Sequence, residues 1–411
     1  MKKIIIRAID PLRILINDSR FTGLMLITCT LISMCLANST HFYRQIWNSH
    51  FFNNAAIPLP QTSLSLINNF LMAFFFLMAG MEIKRELRSG ELSSFKKAVL
   101  PFGAALGGMT VPALIFVAFN LRTSYVHGWG IPTATDIAFS VGIASLLGKR
   151  VPVGLKILLL ALAIIDDLGA IIIIALFYGG HVNWVYLGIA DIIYLCLYAV
   201  NYTKWFKIKF GWVQIILSLS LWYAFFNSGI EASISGVLVA FITPVDILPK
   251  IEKAIHRYVN FLILPLFALA NTAILLPSHI FGSLTSTVGL GVMVGLVIGK
   301  PVGIFLFSRL LVAFKIASLP SNVRWKQLFG MGTLAGIGFT MSIFTTMLAF
   351  KSEAFQDIAK VSILISVLLS LVFSLAYFMI ISVNIKFEHK EEKERASVGA
   401  EGQFELNLGS A

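Results

Sequence analysis

Three aspartates and one lysine lie inside stretches of the sequence that are otherwise apolar. Asp136 ends the segment Pro-Thr-Ala-Thr-Asp, Asp166 and Asp167 are adjacent in a strongly apolar stretch, and Lys300 follows a long apolar run. An ionisable side chain in such surroundings costs several kcal/mol, so residues of this kind usually have a function. Each of the four is therefore a candidate site residue.

The adjacent pair Asp166 and Asp167 has the chemistry of a cation or proton site. Consecutive helical residues point about 100° apart, so one carboxylate can line a water-filled cavity while the other meets a neighbouring helix. Two carboxylates this close do not both ionise easily without a cation. A hard cation such as Na⁺ or Li⁺ takes several oxygen ligands. We expect Lys300 to pair with Asp166; a buried acid pair or a lysine bridge with a purely structural role is the alternative.

Two segments favour interrupted helices. Pro132 lacks an N–H donor, and the threonines beside it offer hydroxyl groups to unpaired carbonyls. A second segment is rich in glycine, with Gly330, Gly332, Gly336 and Gly338. We predict discontinuous helices that cross at 132–136 and 336–340. The alternatives are a proline kink with a hydrogen-bonded aspartate, and close helix packing through small residues.

Composition identifies the elements that hold these residues. Of 411 residues, 57% are hydrophobic and only 13% are charged, against about 25% charged in soluble domains. This excludes a single water-soluble domain, and three cysteines in apolar runs do not form a disulfide scaffold. A polytopic membrane protein remains, with no amphipathic β pattern. Its net charge of +12 needs no nucleic acid, because cytoplasmic loops collect lysine and arginine.

We predict an all-α polytopic membrane protein with one transmembrane domain over 1–385 and a disordered cytoplasmic tail over 386–411. A spanning helix needs about 20 mostly apolar residues. The sequence contains twelve such candidates: 20–38, 64–83, 98–120, 128–147, 152–177, 183–200, 210–226, 229–244, 258–276, 288–310, 326–350 and 358–384.

The predicted interruptions each fall in the middle member of a three-helix group, 98–177 and 288–384. Paired interruptions in corresponding places are typical of two inverted-topology repeats with a site at the bilayer midplane. Opposed half-helices bring positive N-terminal ends and negative C-terminal ends together. Asp136 is suited to neutralise the positive N-terminal ends, and Lys300 is suited to neutralise the negative C-terminal ends.

The basic residues fix the orientation. All but six of the 32 lie on one side of the twelve spans, which places both termini in the cytoplasm. The exceptions are Arg44, Arg122, Lys351 and Lys360 on the other side, and Lys156 and Lys300 inside spans. We expect no cleavable signal, and residues 1–19 are basic enough to lie on the membrane surface.

Charged residues near span ends form a second group of candidates. Glu82, Arg85 and Glu86 end the second span on the cytoplasmic side, and Glu252 and His256 lie in another cytoplasmic connection. They are suited to an electrostatic funnel or a pH-responsive mouth, with a solvated helix end as the alternative. Glu231 begins a span on the external side and is suited to guard an entrance. Asp191 has no motif around it.

Six stretches together form a specific pattern that covers nearly the whole chain. They are MEIKREL (81–87), GWGIPTATDIAF (128–139), AIIDDLGAIIIIALFY (163–178), FLILPLFALAN (261–271), GKPVG (299–303) and GIGFTMS (336–342). With them the chain resembles the NhaA family of sodium/proton antiporters. Members of this family have inverted repeats, so the resemblance also implies this part of the expected architecture.

The resemblance implies site roles. Asp167 is expected to be the main ion carboxylate, Asp166 to pair with Lys300 in one state, and Asp136 and Thr135 to belong to the helix crossing. It assigns pH regulation on the cytoplasmic side to Glu82, Arg85, Glu86, Glu252 and His256.

The resemblance also implies an environment and partners. It points to a bacterial inner membrane, with lipid as a partner, a homodimer, and no cofactor besides the transported Na⁺, Li⁺ and H⁺.

The chain departs from the family at two places. Many members have histidine in the segment that matches 228–232, where this chain has Glu231. An unperturbed carboxylate titrates well below histidine, so a different pH profile is expected. The external loop 39–63 lacks the alternation of the family's dimerising hairpin, so the homodimer rests on the resemblance alone.

The expected function is electrogenic exchange of Na⁺ or Li⁺ for protons, with activity that rises toward alkaline pH. A sodium-coupled solute symporter, an intramembrane aspartyl protease built on Asp136 and Asp167, and a passive channel are the alternatives. An ATP-driven pump is excluded by the lack of a phosphate-binding loop. We therefore expect a transporter rather than an enzyme.

Overall fold

The computed structural model describes residues 19–50, 58–202, 211–276, 280–320 and 322–408, with side chains described as far as Ser382. The surface segment expected at 1–19 lies outside this part of the chain apart from its last residue. Within the described residues the fold is helical, without strands, and an isolated antiparallel bridge joins His50 to Thr62 in the external loop.

The helices are numbered in chain order. They are α1 (Ser19–Ser39), α2 (His41–Asn48), α3 (Ser63–Ser89), α4 (Phe95–Asn120), α5 (Ile137–Leu146), α6 (Val153–Phe177), α7 (Trp184–Tyr202), α8 (Gly211–Ser228), α9 (Ile234–Ile242), α10 (Leu248–Asn271), α11 (Ile280–Leu284), α12 (Thr287–Ala313), α13 (Trp325–Ala335), α14 (Phe339–Ala349) and α15 (Glu353–Leu408). A 3-10 helix, Ser124–Thr133, precedes α5.

Eight of the described helices are long and apolar enough to cross a membrane: α1, α3, α4, α6, α7, α10, α12 and α15. The pair α13 and α14, bent by 49° at its break, makes a ninth if it is one span. The other three predicted spans correspond to shorter elements. The span 128–147 contains the interrupted segment and α5, 210–226 overlaps the 18-residue α8, and 229–244 contains the nine-residue α9. The count of twelve spans stays a prediction.

The two long helices α4 and α12 pack with their backbones in contact. A Cβ atom on Gly107 would lie 2.2 Å from Gly303 O, and one on Gly303 would lie 2.1 Å from Gly107 O. Only glycine fits at either position, and this reciprocal contact brings the two helices together beside the predicted crossing.

The last helix, α15, continues beyond residue 385, the predicted end of the transmembrane domain, and the disordered tail stays a prediction. The backbone of α15 is helical as far as Leu408 and so covers most of the segment 386–411, which we predicted to be a disordered tail. Glutamate, lysine and alanine in this segment are strong helix formers, which accounts for the helical backbone. Its side chains, and residues 409–411, lie outside the described part.

Candidate functional site

Helix α6 carries Asp166 and Asp167 into the interior of the protein. The preceding residues from Leu162 to Ile165 are buried apolar side chains, and the helix continues unbroken through the two acids. Asp166 is fully buried and Asp167 is 5% exposed. The apolar sequence on both sides therefore places two carboxylates in the core.

Asp166 has fixed partners. Lys300 Nζ lies 2.9 Å from Asp166 Oδ2, and both side chains are fully buried. The Thr135 hydroxyl donates to the same oxygen at 2.6 Å. This is the pairing that the sequence favoured, with Thr135 added as a second donor. Asp166 Oδ1 has no hydrogen-bond partner among the described residues.

Both predicted helix interruptions are present, and they touch each other. The chain is not helical from Ala134 to Asp136, nor at the break between α13 and α14. The Asp136 N–H donates to Ile337 O at 2.7 Å, and the Thr135 hydroxyl donates to Ala335 O at 3.0 Å. The two breaks therefore satisfy each other's free backbone groups, as a membrane interior requires.

A reciprocal pair of hydrogen bonds flanks this crossing. The Ser140 hydroxyl on α5 donates to Leu334 O at 2.9 Å, and the Ser342 hydroxyl on α14 donates to Ile131 O at 2.7 Å. Each serine lies in the second half of one interrupted segment and binds the end of the first half of the other. The crossing thus has an approximate two-fold arrangement.

Charged side chains compensate the helix ends at the crossing. Asp136 accepts from Phe139 N at 3.2 Å at the start of α5, and from Thr340 N at 3.1 Å at the start of α14. The Thr340 hydroxyl also donates to Asp136. Lys300 Nζ donates to Thr133 O at the end of the 3-10 helix. A carboxylate therefore faces two positive N-terminal ends, and an ammonium group faces a negative C-terminal end.

Asp167 borders a cavity of about 330 Å³. Its Oδ1 atom is buried and has no hydrogen-bond partner in the described part of the chain. Buried carboxylate oxygens are normally paired, so this oxygen has the capacity to accept a further hydrogen bond or to bind a cation. Other residues of the site also line the cavity, among them Thr135, Asp136 and Thr340.

The same cavity reaches the predicted cytoplasmic cluster. Its lining includes Glu82, Arg85, Glu252 and His256. Arg85 pairs closely with Glu252 and lies 3.8 Å from carboxylate oxygens of Glu82 and of Glu86. Four of the five predicted cytoplasmic candidates therefore line the cavity that contains Asp167, and Glu86 lies beside Arg85.

Glu231 lies away from this cluster, in the connection between α8 and α9 and outside the helices that could span the membrane. The Ser233 hydroxyl donates to its Oε1 at 3.2 Å. Burial raises the pKa of Glu231 from 4.5 to about 7, while hydrogen bonds from Ser233 act in the opposite direction. Asp191 is exposed on α7, and nothing in the structure assigns it a role.

Several residues of the crossing were not singled out by the sequence reasoning. They are Thr340, which binds Asp136, and the two reciprocal serines, Ser140 and Ser342. The signal was present, since Thr340 and Ser342 lie in the stretch GIGFTMS. Their partners are about 200 residues away along the chain, however, so spacing alone did not identify them.

An all-helical membrane protein with buried charges at the crossing of two interrupted helices has the architecture of a secondary transporter. The model of the family described as "Na+/H+ antiporter 1" matches residues 13–378 of this chain. The chain belongs to this family.

Curated relatives agree with this assignment. The chain is 45% identical over 358 residues to the Na(+)/H(+) antiporter NhaA 2 of Flavobacterium johnsoniae, with 85% of this chain and 87% of the relative covered. It is 42% identical over 390 residues to NhaA 1 of Clostridium beijerinckii, covering 91% and 95%. It is 43% identical over 358 residues to NhaA of Citrobacter koseri, covering 84% and 91%. These relatives are named as antiporters, which are transporters rather than enzymes.

Proposed function

We propose that this protein is an electrogenic antiporter that exports Na⁺ or Li⁺ in exchange for protons through a site at Asp167. The observation that carries the proposal is the unpaired Asp167 Oδ1 on a cavity that extends to the charged cluster of Glu82, Arg85 and Glu252. A buried carboxylate beside such a cavity is suited to hold either a cation or a proton. Family membership supports the same chemistry.

The proposed mechanism is competition for one carboxylate site. Asp167 binds Na⁺ in one facing state and a proton in the other, and a small movement of helices changes which side has access. Asp166 takes part because it pairs with Lys300 in one of the two states. In the present arrangement Lys300 and Thr135 hold it. By family resemblance, more protons than sodium ions move per cycle, so the membrane potential drives export.

We also propose that the cytoplasmic cluster regulates exchange by pH. Glu82, Arg85, Glu86, Glu252 and His256 lie at the end of the cavity through which cations and protons would reach Asp167. A change in the net charge of this cluster alters the local concentration of cations at the mouth. Activity is expected to rise toward alkaline pH, because the site must lose protons before it accepts Na⁺.

The proposed architecture has twelve spans with inverted repeats over about 98–177 and 288–384. Its support is the reciprocity of contacts between the two groups: Gly107 with Gly303, and the paired serine bonds of Ser140 and Ser342. Positive ends of half-helices then meet at Asp136. We further propose a bacterial inner-membrane location with cytoplasmic termini, based on the basic residues, and a homodimer, based on the family resemblance.

The alternatives fit this geometry less well. An aspartyl protease needs two acids that share a catalytic water, but Asp136 uses both carboxylate oxygens to hold Phe139 N and Thr340. A sodium-coupled symporter needs a binding site for an organic solute beside the ion site. Cleavage of a reporter peptide in lipid, or uptake of an organic solute driven by Na⁺, would favour these alternatives.

The test is Na⁺-dependent proton release from proteoliposomes. We expect Asp167→Asn to abolish release, because an amide cannot exchange a proton for Na⁺. Asp191→Asn is the matched control, since it neutralises an exposed acid on another membrane helix, and its exchange rate should stay within about twofold of the parent protein. Full activity of Asp167→Asn would remove Asp167 from the site.

The same vesicles test the ions and the coupling. Proton flux measured with Na⁺, Li⁺ and K⁺ across a pH series should respond to the first two cations only. An imposed membrane potential, negative inside, should accelerate Na⁺ export if more protons than sodium ions move in each cycle. Ion flux that is independent of the proton gradient and of proton movement would identify a passive channel instead.

A further inference from the structure

Helix α9 (Ile234–Ile242) covers only part of the predicted span 229–244. Nine residues at 1.5 Å each give roughly 14 Å, less than half of a hydrocarbon core of about 30 Å. The last four carbonyl groups of any helix lack partners within the helix and must find them elsewhere when they are buried. The C-terminal end of α9 therefore needs donors from another element.

Lys84 of α3 supplies these donors. Its ammonium group donates to Phe241 O at 2.6 Å and to Thr243 O at 2.6 Å, and it lies 3.5 Å from Ala240 O. The residue is only 8% exposed. Its hydrogen-bond acceptors are carbonyl oxygens at the negative end of a helix rather than a carboxylate, which is a favourable position for a cation.

The two helices are in backbone contact along the face that ends at Lys84. A Cβ atom on Gly236 would lie 2.0 Å from Ala73 O, and one on Gly80 would lie 2.8 Å from the Ala240 side chain. Gly80 and Lys84 are four residues apart and so share one face of α3. This contact and the ammonium cap together fix the rotation of α3 relative to α9.

The opposite face of α3 forms part of the cavity wall. Phe75, Met78, Ala79, Glu82 and Arg85 of this helix line the cavity that contains Asp167. A rotation or shift of α3 would move all of these side chains at once. The position of the cavity wall therefore depends on the contacts that hold α3 on its other side.

The other end of α9 carries a titratable acid. Glu231 lies just before the helix, and the Ser233 hydroxyl donates to its carboxylate. An acidic group at the N-terminal end and a cation at the C-terminal end both oppose the helix dipole. Once Glu231 is ionised, the short helix is compensated at both ends, in the same manner as the half-helices at the Asp136 crossing.

We propose that Lys84 is a positioning residue for ion entry: by capping α9 it holds α3 in the register that places Glu82 and Arg85 at the mouth of the cavity. This inference rests on the proposed antiport function. Lys84 lies between Glu82 and Arg85 in the sequence, but on the opposite face of α3. Its effect on transport is indirect, since its ammonium group contacts carbonyl oxygens of α9.

The first test is kinetic and compares Lys84→Met with Lys96→Met, which removes an exposed lysine at the start of α4. We expect the apparent KM for Na⁺ to rise at least fivefold in Lys84→Met, with a maximal exchange rate within twofold of the parent, and neither constant to change in Lys96→Met. A KM within twofold of the parent value would overturn the proposal. If Lys84→Met does not fold, Lys84→Gln, which keeps N–H donors without the charge, is measured in the same way and judged by the same limits.

The second test needs neither a variant nor transport activity. Native protein is acetylated with an amine-reactive ester, and modification at each lysine is followed by mass spectrometry. The cap predicts that Lys84 reacts at least tenfold more slowly than Lys96. Equal rates for the two lysines would overturn the cap itself. If Asp167→Asn kept full activity, the proposed ion site would be wrong, but the slow reaction of Lys84 would still be expected.

Discussion

Asp166 and Asp167 are neighbours on α6, yet each carboxylate has different surroundings. Asp166 Oδ2 is held by Lys300 at 2.9 Å and by Thr135 at 2.6 Å, whereas Asp167 lines the cavity. The Oδ1 atom of each acid is unpaired among the described residues. Since consecutive helical residues point about 100° apart, a single lysine cannot hold both. The pair therefore divides into one acid with fixed partners and one that is free to bind a transported ion under the proposed mechanism.

Glu231 shows how burial can replace a change of residue type. Many family members have histidine at this point, and an unperturbed histidine titrates near 6.5. Burial raises the pKa of Glu231 to about 7, which brings the carboxyl group into the same range. Histidine and Glu231 therefore titrate at a similar pH. They differ in the charged form, which is a cation for histidine and an anion for glutamate.

This pKa gives a prediction for stability against pH. The folded protein holds the Glu231 proton up to about pH 7, whereas the unfolded chain releases it near 4.5. The contribution to stability is therefore fully present below pH 4.5 and is lost as the pH rises through 7. Glu231→Gln mimics the protonated form and does not titrate. Its melting temperature in detergent should exceed that of the parent increasingly between pH 5 and pH 8.

The control for this measurement is Asp191→Asn, which neutralises an exposed acid and should give a constant difference in melting temperature over the same range. A difference for Glu231→Gln that does not change with pH would show that the pKa of Glu231 is not raised.

At the scale of elements, the crossing depends on close approach of two irregular segments. A Cβ atom on Gly338 would lie 2.5 Å from Ala134 O and 2.7 Å from the Ser342 hydroxyl. The backbone oxygen cannot move away without disturbing the bond from Asp136 N to Ile337 O. Gly338 is therefore required for space rather than for an unusual backbone angle.

We expect Gly338→Ala to destabilise the folded protein by about 1–3 kcal/mol, the usual cost of overpacking, and to lower Na⁺/H⁺ exchange at least tenfold. The measurements are thermal melting in detergent and exchange in proteoliposomes. Gly188→Ala is the matched control, because no described atom lies within 4 Å of a Cβ at that position on α7. Equal behaviour of the two variants would show that the crossing tolerates a side chain.

Sequence reasoning predicted the long helices and both interruptions, because apolar length, proline and glycine act locally. It did not predict the extent of α9, since the apolar run 229–244 continues past both ends of the observed helix. Nor did it identify the bonds from Lys84 to α9 or from Thr340 to Asp136. These contacts join residues more than 150 positions apart, and one sequence carries no record of which helix ends meet in space.

At the scale of the whole molecule, ion pairs join the helices near the beginning of the chain to the last helix. Arg44 on α2 lies 2.9 Å from Glu353 and 3.4 Å from Asp357 at the start of α15. Helix α2 leads into α3, which lines one wall of the cavity, whereas α15 packs against α12, α13 and α14, which carry the crossing. The cavity and these ion pairs therefore lie between the same groups of helices.

In the proposed orientation, alternating access requires these groups to separate on the external side when the cavity closes on the cytoplasmic side. Arg44→Gln removes the link and should favour the outward-facing state. Exposed ion pairs contribute about 0.2–1 kcal/mol, and the apparent affinity follows the population of the competent state. We therefore expect the ratio of external to cytoplasmic KM for Na⁺, measured in vesicles of opposite orientation, to fall by up to about fivefold. Lys97→Gln, which breaks the exposed pair of 3.5 Å between Glu91 and Lys97 at the predicted cytoplasmic start of α4, should leave the ratio unchanged. A ratio that rises or stays constant in folded Arg44→Gln would show that this contact does not separate during transport.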